Sequence, residues 1–502
     1  MTDVLVVGAG PTGLTLACDL ARRGMDVRVI DGRDAPHAES RGKTLHPRSL
    51  EILADLGVDR EVLARGAAHQ VFRKYFDGVP VEDTDPFAPG TRPGHRPGAR
   101  FDGAVFAAQW RIEEVLRRRL EGLGTAVEFG ARLAGLGQDE DGVRAVLADG
   151  RELRAGYAVG CDGGHSTVRR ELGVPFEGHS AGAEAMICGD VEAPGLSRDV
   201  WHQWFTADGA VLMWPVPGTA SFQIQTTPEP GPDGEALPPS LEAFQRQFDR
   251  HARVPGIRLR GASWLSSWRV NVRMARRFRV GRVFLAGDAA HVHPIAGGLG
   301  MNTGIQDAFN LGWKLALAVG GRCGQVLLDS YEQERGPVAA WTLKITDERM
   351  EHVMAAVRTP GTGTEAALTD EVPAGYRWSP LAQGTGTGTG RSVPGDPAPD
   401  IPLPGGTWLS EALVGGGFTL LGTGPGTGPA LAAVAAAHGG AVRPLAVGAA
   451  LGAAAEAAVR EAFGVTGDAL VLVRPDHHVA VVAQGRDPEP VLRWLGALRP
   501  SP

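Results

Sequence analysis

The first thirty residues contain a pattern that fixes the start of the fold. An apolar strand over residues 3–7 runs into the glycine-rich turn Gly-Ala-Gly-Pro-Thr-Gly at 8–13, and a helical stretch to about residue 23 leads to a second apolar strand at 26–30. Two strands joined through a helix pair in parallel with a right-handed crossover. The sequence therefore predicts an α/β domain built on a parallel sheet.

The turn itself has the spacing of a phosphate-binding loop. Gly8, Gly10 and Gly13 form a G-x-G-x-x-G pattern directly after a strand and at the start of a helix. Glycine there allows the tight turn and the close approach of backbone to a pyrophosphate, whose charge the helix N-terminus favours. Asp31 closes the second strand, where a carboxylate accepts hydrogen bonds from a ribose. These residues predict a dinucleotide site, and Arg33 fits either a phosphate contact or the protein surface.

Composition limits the other classes of function. The 502 residues need two or three domains, and a net charge of -7 argues against nucleic-acid binding, which requires a basic surface. The four cysteines form no C-x-x-C pair, which indicates a reducing compartment, and no apolar run is long enough to span a bilayer. Because residues 1–7 also lack the features of a signal peptide, we expect a soluble, cytoplasmic protein without nucleic-acid or membrane partners.

Changes of pattern along the chain predict its domains. Short alternating segments rich in Trp, Phe and Thr near residues 201–225 are typical of an antiparallel sheet, whereas an α/β pattern returns from residue 282. Glycine, threonine and proline dominate after residue 355, with Gly-Thr-Gly-Thr-Gly-Thr-Gly at 384–390 as a flexible stretch. We therefore expect a nucleotide-binding domain at 1–175 and 276–355, a β-sheet domain at 176–275, a linker at 356–399 and a small α/β domain at 400–502.

Two further glycine-flanked acidic turns follow predicted strands. One places Asp162 in the segment Gly-Cys-Asp-Gly-Gly, and the other is the stretch 287–302, Gly-Asp-Ala-Ala-His-Val-His-Pro-Ile-Ala-Gly-Gly-Leu-Gly-Met-Asn. Asp288, His291 and His293 in that stretch are ligand types for zinc, but no further ligands cluster near them in the sequence. We therefore predict no metal site and assign the two histidines to packing and to the shape of the loop.

The three turns together resemble a known family. Gly-Ala-Gly-Pro-Thr-Gly, Cys-Asp-Gly-Gly-His-Ser-Thr-Val-Arg and the stretch 287–302 occur in the order found in the FAD-dependent aromatic hydroxylases related to para-hydroxybenzoate hydroxylase, and the likeness covers about residues 3–340. The chain is similar to the class A subgroup that contains aromatic polyketide hydroxylases and rifampicin monooxygenase. This resemblance implies an α/β protein with a Rossmann-like FAD-binding domain of the glutathione reductase type, an inserted antiparallel β-sheet for the substrate, and a C-terminal thioredoxin-like domain without C-x-x-C.

The resemblance also implies an activity. NADPH or NADH would reduce FAD, O₂ would add to form a flavin hydroperoxide, and one oxygen atom would pass to an electron-rich aromatic substrate of the polyketide type, as in natural-product biosynthesis. The alternatives are a Baeyer–Villiger oxygenase on a related polyketide, a tailoring or inactivating hydroxylase of another phenol, and a flavin-binding protein without turnover. The implied partners are a small aromatic molecule and, in a homodimer, a second copy of the chain. No side-chain base stands out in the sequence.

Carried over position by position, the resemblance assigns the cofactor site. The pyrophosphate would lie at the glycine turn, the ribityl chain at Asp288, and the flavin ring against the loop 294–302 and the backbone of its last residues. Arg41 and Gln109 would face the phosphate and ribityl region, although Gln109 is also a plausible helix-start residue, and Asp162 would serve both FAD and NAD(P)H. The cofactor-binding set is Gly8, Gly10, Pro11, Thr12, Gly13, Asp31, Arg33, Arg41, Gln109, Leu133, Asp162, Asp288, Pro294, Gly298, Gly300, Met301 and Asn302.

The flavin-facing loop departs from the family at two positions that bear on substrate choice. Relatives often have proline where this chain has Ile295 and glutamine where it has Leu299, so we expect these two and Pro294 to shape the pocket. The middle sheet should form the substrate wall. Alternate residues of a strand face opposite sides of a sheet, and we favour the side of the two glutamines for the cavity. The candidate substrate residues are Trp204, Trp214, Phe222, Gln223 and Gln225.

Overall fold

The β-α-β unit predicted from the glycine turn is present and lies inside the first sheet. In the computed structural model, strand β1 (Thr2–Val7) pairs in parallel with β2 (Val27–Ile30), and helix α1 (Pro11–Arg22) connects them. Val4 and Val6 are completely buried, and Leu5 between them is 1 % exposed. An apolar run without alternation is what a parallel strand needs when both of its faces are covered.

The structure describes most of the chain, and the bounds of its elements are as follows. It covers residues 1–499 except 40, 69, 86–87, 89–98, 232–235, 295, 359–371 and 383–391, and it describes the backbone alone at 181–185, 268–270, 296 and 351–358. The further strands are β3 (Thr44–Leu45), β4 (Val71–Phe76), β5 (Val79–Thr84), β6 (Val105–Phe106), β7 (Val127–Glu128), β8 (Leu133–Gln138), β9 (Val143–Leu147), β10 (Glu152–Gly160), β11 (Phe176–Glu192), β12 (Val200–Thr206), β13 (Gly209–Pro215), β14 (Ser221–Thr226), β15 (Arg260–Ala275), β16 (Arg279–Val280), β17 (Val283–Leu285), β18 (His291–Val292), β19 (Pro402–Leu403), β20 (Thr407–Trp408), β21 (Phe418–Thr423), β22 (Val442–Ala446), β23 (Ala469–Val473) and β24 (Val479–Gln484). The further helices are α2 (Pro47–Asp55), α3 (Asp59–Leu63), α4 (Gln109–Gly122), α5 (Thr167–Glu171), α6 (Leu241–His251), α7 (Leu299–Val319), α8 (Gln325–Arg358), α9 (Leu409–Leu413), α10 (Gly428–His438), α11 (Val447–Leu451), α12 (Ala453–Phe463) and α13 (Glu489–Ala497).

The first sheet joins two distant parts of the chain. Its main path has the order β16-β17-β10-β1-β2-β7, and the hairpin of β8 and β9 extends from β10. Strand β17 pairs in parallel with β10, so residues after 276 complete a sheet that begins before residue 175. No helix among the described residues has both the length and the apolar composition that crossing a bilayer requires.

The second sheet contains the predicted insertion at 176–275. Its order is β18-β15-β11-β14-β13-β12-β4-β5, with the long strands β11 and β15 paired antiparallel. Strands β4 and β5 come from the chain before the insertion, and β4 pairs with β12 in parallel, so the expectation of a wholly antiparallel sheet is wrong at this pair. Helix α6 covers one face through Phe244 and Phe248. The opposite face is left to meet the first domain.

The C-terminal part forms a smaller α/β layer. The sheet order is β22-β21-β23-β24, with β21 and β22 parallel and β23 antiparallel to both of its neighbours. One of its apolar clusters includes Trp313 of α7 together with Phe418 and Trp494. The Trp313 and Phe418 rings meet edge to face, with their centroids 5.6 Å apart. The C-terminal part therefore packs directly on the first domain.

A buried ionic network strengthens that contact. Glu334 of α8 lies 2.7 Å from Nζ of Lys314 on α7 and 2.7 Å from Nη1 of Arg474, which also pairs with Asp476. These side chains are at most 1 % exposed. Burial alone would raise the pKa of Glu334, but Arg474 and Lys314 outweigh it and hold this pKa below its ordinary value. Because each charge lacks water, each depends on its protein partner.

Part of the predicted linker 356–399 is packed against the rest of the protein. Val372 and Tyr376 are buried in an apolar cluster with residues of α7 and α8, which fixes the segment 372–382 against the first domain. The Gly-Thr run at 384–390, predicted as a flexible stretch, lies outside the described residues. Residues 372–382 thus differ from a free linker because two large side chains bury apolar surface there.

Replacement of the central carboxylate tests the ionic network. Glu334→Gln leaves Lys314 buried without a full counter-charge, so we expect the free energy of unfolding to fall by about 3–5 kcal/mol. Urea denaturation followed by circular dichroism measures the change. Glu152→Gln is a matched control, because Glu152 forms an exposed pair with Arg144 and such pairs contribute little. Equal stability of both variants would contradict the role of Glu334.

Candidate active site

The three glycines of the G-x-G-x-x-G turn differ in what a side chain would meet at each position. Gly8 has a φ of +106°, and a Cβ there would lie 2.3 Å from the carbonyl oxygen of Cys161. A Cβ on Gly13 would lie 2.0 Å from the carbonyl oxygen of Gly8. A Cβ on Gly10, by contrast, would meet no atom within 4 Å. The first and third glycines are required by packing, and the second borders open space.

That open space lies at the N-terminus of α1. Gly10 is the N-cap residue, and no side chain caps the helix. Beside it, Asp31 Oδ2 accepts a hydrogen bond from the backbone N of Ala9 at 2.8 Å and pairs with Nη2 of Arg33 at 2.8 Å. Burial raises the pKa of Asp31, but the hydrogen bonds from Arg33 and Ala9 outweigh it, so this pKa lies below its ordinary value. An ionised carboxylate therefore stands next to an uncapped helix end.

Asp162 follows β10 and binds the start of the short helix α5, whose N-cap residue is Ser166. Its Oδ2 accepts hydrogen bonds from the backbone N of Thr167 (2.7 Å) and of Val168 (3.1 Å), and its Oδ1 accepts one from Oγ of Ser166 (2.5 Å). Burial raises the pKa of Asp162, and these hydrogen bonds oppose that shift. The backbone N of Asp162 also borders Gly8. The turn that contains Asp162 therefore supports the glycine turn structurally.

Asp288 lies in a concave site. Its surface is exposed, yet the surrounding protein desolvates the carboxyl and raises its pKa, against the opposing charges of His291 and Arg41. A group can be both exposed and desolvated where it forms the floor of a groove. Arg41 is largely exposed and pairs with Glu39 at 2.7 Å. Arg41 therefore acts electrostatically on Asp288, and we call the surface that carries both residues the groove.

The two histidines that follow have separate structural roles. His291 Nε2 lies 2.7 Å from Oδ2 of Asp307 on α7, and Nε of Arg335 on α8 lies 2.6 Å from Oδ1 of the same carboxylate. His293 Nδ1 lies 2.9 Å from the carbonyl oxygen of Pro294, and burial lowers the pKa of His293 to about 4. Within the described part of the chain, no group of three or more His, Cys, Asp or Glu is arranged to hold a metal ion.

Helix α7 begins in the loop predicted to face the flavin. Its N-cap Gly298 is left-handed, with a φ of +64°, and no side chain caps the helix. The amide groups of the first turn, including those of Gly300 and Met301, have no partner within the helix. Asn302 acts through its side chain instead, since its Nδ2 donates to the carbonyl oxygens of Thr44 (2.9 Å) and Gly298 (2.8 Å). This buried amide fastens the helix start to the segment after residue 41.

Of the three positions predicted to shape the pocket, the structure describes Pro294 and Leu299. Leu299 is completely buried in an apolar cluster with Val338 and Tyr376, so its side chain contacts α8 and residues 372–382. The prediction for Leu299 is wrong because side chains in the first turn of a helix point away from the helix axis, whereas the free N–H groups of that turn point along the axis. Ile295 lies outside the described residues, and Pro294 is buried.

Four other predicted cofactor residues contact the protein itself. Gln109 begins α4, and its Oε1 accepts a hydrogen bond from the backbone N of Gly42 at 3.0 Å. Thr12 packs closely against the turn after β17. Leu133 is buried in the core of the first domain, and Pro11 is the first residue of α1. Gln109 therefore positions the segment after residue 41, and the other three support the fold around the groove.

The face of the second sheet opposite α6 carries polar side chains among aromatic ones. Gln225 Nε2 donates to Oε1 of Gln223 at 3.0 Å, and Nζ of Lys43 donates to the same oxygen at 2.6 Å. The Lys43 Nζ also lies 4.2 Å from the ring centroid of Trp201 and 5.6 Å from that of Trp214. We call this set, Lys43 with Trp201, Trp214, Gln223 and Gln225, the lysine cluster.

Trp204 and Phe222 lie on the other face of the same sheet. Both belong to the apolar cluster around Phe244 and Phe248 of α6, and both are 1 % exposed. Because neighbouring residues of a strand point to opposite sides, Phe222 cannot share a cavity with Gln223. The structure therefore brings together Trp214, Gln223 and Gln225 but not the other two candidate substrate residues.

Comparison with known proteins identifies the family. A family described as FAD binding domain matches residues 1–346, and one described as aromatic-ring hydroxylase, C-terminal, matches residues 391–497. A flavin-dependent monooxygenase of Mycobacteroides abscessus is 39% identical over 494 residues, which are 96% of this chain and 97% of that protein. The chain belongs to the class A FAD-dependent aromatic hydroxylases.

The chain is also similar to proteins with named ligands. A rifampicin monooxygenase of Streptomyces venezuelae is 39% identical over 355 residues, which are 69% of this chain and 70% of that protein. The crystal structure of aklavinone-11 hydroxylase with FAD and aklavinone superposes with a TM-score of 0.80 at 29% identity, and the match covers 99% of this chain and 98% of that one. Both the sequence and the fold of the chain thus match this family along most of their length.

Lys43 was missed by the sequence analysis. Burial lowers the pKa of Lys43 to about 7, and the opposing effects of Cys188 and Asp190 do not restore it. Part of Lys43 remains exposed, because the protein surrounds its ammonium group in a concave site without covering it completely. No local pattern marks this lysine, since its partners on β12, β13 and β14 are more than 150 residues away.

The depressed pKa predicts how stability depends on pH. An unfolded lysine has a pKa of about 10.4, so between about pH 7 and pH 10.4 the unfolded state binds more protons at this site than the folded state. The contribution of Lys43 to stability should therefore rise with pH across that window. We expect urea denaturation to show wild type gaining stability relative to Lys43→Met as pH increases, whereas Lys344→Met, at an exposed site, should follow wild type. A constant difference between wild type and Lys43→Met would contradict the shifted pKa.

Proposed function

We propose that this chain is an NADPH- or NADH- and FAD-dependent monooxygenase that hydroxylates a polycyclic aromatic substrate of the polyketide type. The names of its relatives support this class, since one is a rifampicin monooxygenase and a structural neighbour binds aklavinone. The observation that carries the proposal is the position of residues 42–46. This segment contacts the start of α7 on one side and the polar face of the second sheet on the other. A cofactor at α7 and a substrate at the sheet would meet there.

The residues of the groove fit a dinucleotide cofactor. The helix end at Gly10 has unsatisfied amide groups and room for a pyrophosphate, and the ionised Asp31 beside it can accept hydrogen bonds from a ribose. The desolvated carboxyl of Asp288 would be stabilised by the ribityl hydroxyls. The free amides of Gly300 and Met301 would donate to the pyrimidine edge of the flavin.

The chain would contribute binding, orientation and protection from water. Bound FAD supplies electron transfer from the nicotinamide and activation of O₂ for transfer of one oxygen atom. On the sheet face that would receive the substrate, Gln223 is 1 % exposed and Trp214 is completely buried, so protein atoms already shield these side chains from water. Exclusion of water from such a site protects reactive groups from hydrolysis and strengthens polar contacts. The amides of Gln223 and Gln225 can hydrogen-bond a carbonyl or hydroxyl of the substrate.

We also propose the finer fold that the resemblance implies. The first domain has parallel strands with the glycine turn at the carboxyl end of β1, which supports a Rossmann-like unit of the glutathione reductase type. In the C-terminal part, the parallel pair β21 and β22 followed by the hairpin of β23 and β24 supports a thioredoxin-like domain. Residues 400–502 contain no cysteine, so this domain would serve packing rather than thiol chemistry.

Turnover with candidate substrates tests the proposed function. We expect purified holoprotein to oxidise NADPH faster when polycyclic phenols or hydroxyquinones are present, and to form a product that gains one oxygen atom from isotopically labelled O₂ with its rings intact. Mass spectrometry of the product identifies the reaction. A lactone formed from a ketone would identify a Baeyer–Villiger oxygenase instead. Flavin binding without any ligand-dependent oxidation of NADPH or NADH would contradict an oxygenase function.

Gly10→Ala tests the FAD site while leaving the fold intact. The added methyl group meets no protein atom, so the thermal stability of FAD-free protein should change little. The same methyl group would occupy the space at the helix end, and FAD affinity should fall by about tenfold, or about 1.4 kcal/mol. Titration of apoprotein by quenching of FAD fluorescence measures this. Gly13→Ala is the matched control and should lower stability, because its Cβ would lie 2.0 Å from the carbonyl oxygen of Gly8. Wild-type FAD affinity in Gly10→Ala would exclude a pyrophosphate at this turn.

A further inference from the structure

Lys43 differs in its partners from the other lysines. The chain has four lysines, and Lys74 and Lys314 each bind a carboxylate, with Nζ to oxygen distances of 2.8 and 2.7 Å. Lys344 is exposed on α8. Within the described residues, Lys43 has no carboxylate within ion-pair distance, and its hydrogen-bond partner is the neutral amide oxygen of Gln223. A buried cation that has no anion in direct contact is a site where an anionic ligand gains free energy.

The surroundings of Lys43 are suited to a flat aromatic ligand. The indoles of Trp201 and Trp214 lie against its Nζ, and Gln223 is fixed from behind by Gln225. Trp201 is 7 % exposed and Trp214 is completely buried, so these rings form the apolar surroundings of Nζ, and the exposed part of Lys43 is where a ligand would reach it. A polar point within an apolar aromatic pocket is the usual arrangement of a site that orients a small ligand.

The position of Lys43 along the chain places it beside the cofactor groove. A Cβ on its neighbour Gly42 would lie 3.4 Å from Sδ of Met301, in the first turn of α7. Its other neighbour, Thr44, accepts the hydrogen bond from Asn302, and a Cβ on Gly298 would lie 2.9 Å from Cβ of Thr44. The backbone around Lys43 therefore touches the flavin-facing loop, while its side chain reaches across to the sheet.

We propose that Nζ of Lys43 is the catalytic base of this hydroxylase, which accepts the proton of an ionisable hydroxyl on the aromatic substrate and then holds the resulting oxyanion. This inference rests on the proposed function and names the residue that activates the substrate. The O–H bond of the phenol or enol breaks, an N–H bond forms on Lys43, and the electron pair stays on oxygen. No oxidant or reductant takes part. The oxyanion donates electron density into the ring, which then becomes a better nucleophile toward an electrophilic oxygen.

The ionisation of Lys43 supports this chemistry. With a pKa lowered to about 7 by burial, a large part of Lys43 is neutral near physiological pH and can accept a proton, which an exposed lysine cannot do. After transfer, the ammonium and the oxyanion form a charge-assisted hydrogen bond at a site of low polarity. The neutral amine of Lys43 would therefore bind the phenol and take its proton. The complex would then contain the ammonium and the oxyanion as an ion pair.

Other charged groups near Lys43 do not share its titration range. Burial raises the pKa of the Cys188 thiol on β11 to about 11, with Lys43 itself opposing that shift. Arg41 on the same loop pairs with Glu39. Lys74 on β4 is paired with Glu82, and β12, β13 and β14 contribute neutral residues to the lysine cluster. The carboxyl of Asp190 on β11 also faces Lys43, so Asp190→Asn serves as a check that a transition near pH 7 belongs to the lysine.

The pH dependence of binding has a definite sign. Below about pH 7 the free ammonium and the free phenol carry two protons and their complex carries one, so affinity rises by about tenfold per pH unit. Between about pH 7 and the pKa of the phenol, the free and bound states carry the same number of protons, and affinity is constant. In Lys43→Arg the guanidinium stays charged, so affinity continues to rise through pH 7 up to the pKa of the phenol.

Binding of quinizarin (1,4-dihydroxyanthraquinone) to the holoprotein tests the proposal, because its visible absorption moves to longer wavelength when a hydroxyl ionises. We expect wild type and Lys344→Met to show the ionised band at a pH where free quinizarin is neutral, with affinity that levels off near pH 7. Lys43→Met should lose the band and bind about ten- to a hundredfold more weakly, which is the range for a charge-assisted hydrogen bond. Lys43→Arg should keep the band without the break near pH 7.

Several outcomes would overturn the proposal. They are an ionised band in Lys43→Met, neutral quinizarin bound to wild type, or a break near pH 7 that persists in Lys43→Arg. A break that is lost in Asp190→Asn but persists in Lys43→Arg would assign the titration to Asp190. FAD content and thermal melting of each variant show whether it is folded. The ratio kcat/KM for hydroxylation then separates the two hypotheses. If wild type and Lys43→Met hydroxylate a phenol with equal kcat/KM at all pH values, Lys43 is excluded as base and the proposed function stands. If wild type binds and oxygenates no phenol, the proposed function fails.

Discussion

Helices α7 and α8 each carry a completely buried carboxylate, and the need to neutralise both organises the molecule. Asp307 on α7 receives Arg335 from α8, His291 from β18 and the backbone N of Gly287 at 3.0 Å. Glu334 on α8 receives Lys314 from α7 and Arg474 from the C-terminal part. Because a buried charge without a partner is costly, these parts of the chain cannot separate from the two helices without a large loss of stability.

The same helices also position the residues of the proposed site. The start of α7 is uncapped and is fastened by Asn302 to the segment after residue 41. That segment carries Lys43 across to the second sheet, where the cation rests against Trp201 and Gln223. The ionic network behind α7 thus fixes the helix start, and the segment after residue 41 brings a lysine with a shifted pKa to the face of the second sheet opposite α6. Packing and function depend on one arrangement.

Local patterns predicted the elements near the glycine turn well. The β-α-β unit, Gly10 at an open helix end and Asp31 beside it all follow from short-range spacing, and the alternation of β14 correctly separated Gln223 from Phe222. The prediction was wrong for Leu299, whose side chain packs against α8, and it missed that β4 joins the second sheet in parallel with β12. Both depend on contacts between residues that are far apart in the chain.

The sequence by itself determined the family, the glycine turn and the acidic turns that follow β10 and β17, because glycine conformation and strand-helix periodicity are properties of a few consecutive residues. Only the tertiary structure decided which residues share a face of the second sheet and which charges are buried. The pKa of Lys43 illustrates the difference, since an identical Gly-Lys-Thr segment on an open surface would carry an ordinary lysine. The shift to about 7 arises because strands β11 to β14, which follow more than 130 residues later, enclose the ammonium and remove it from water.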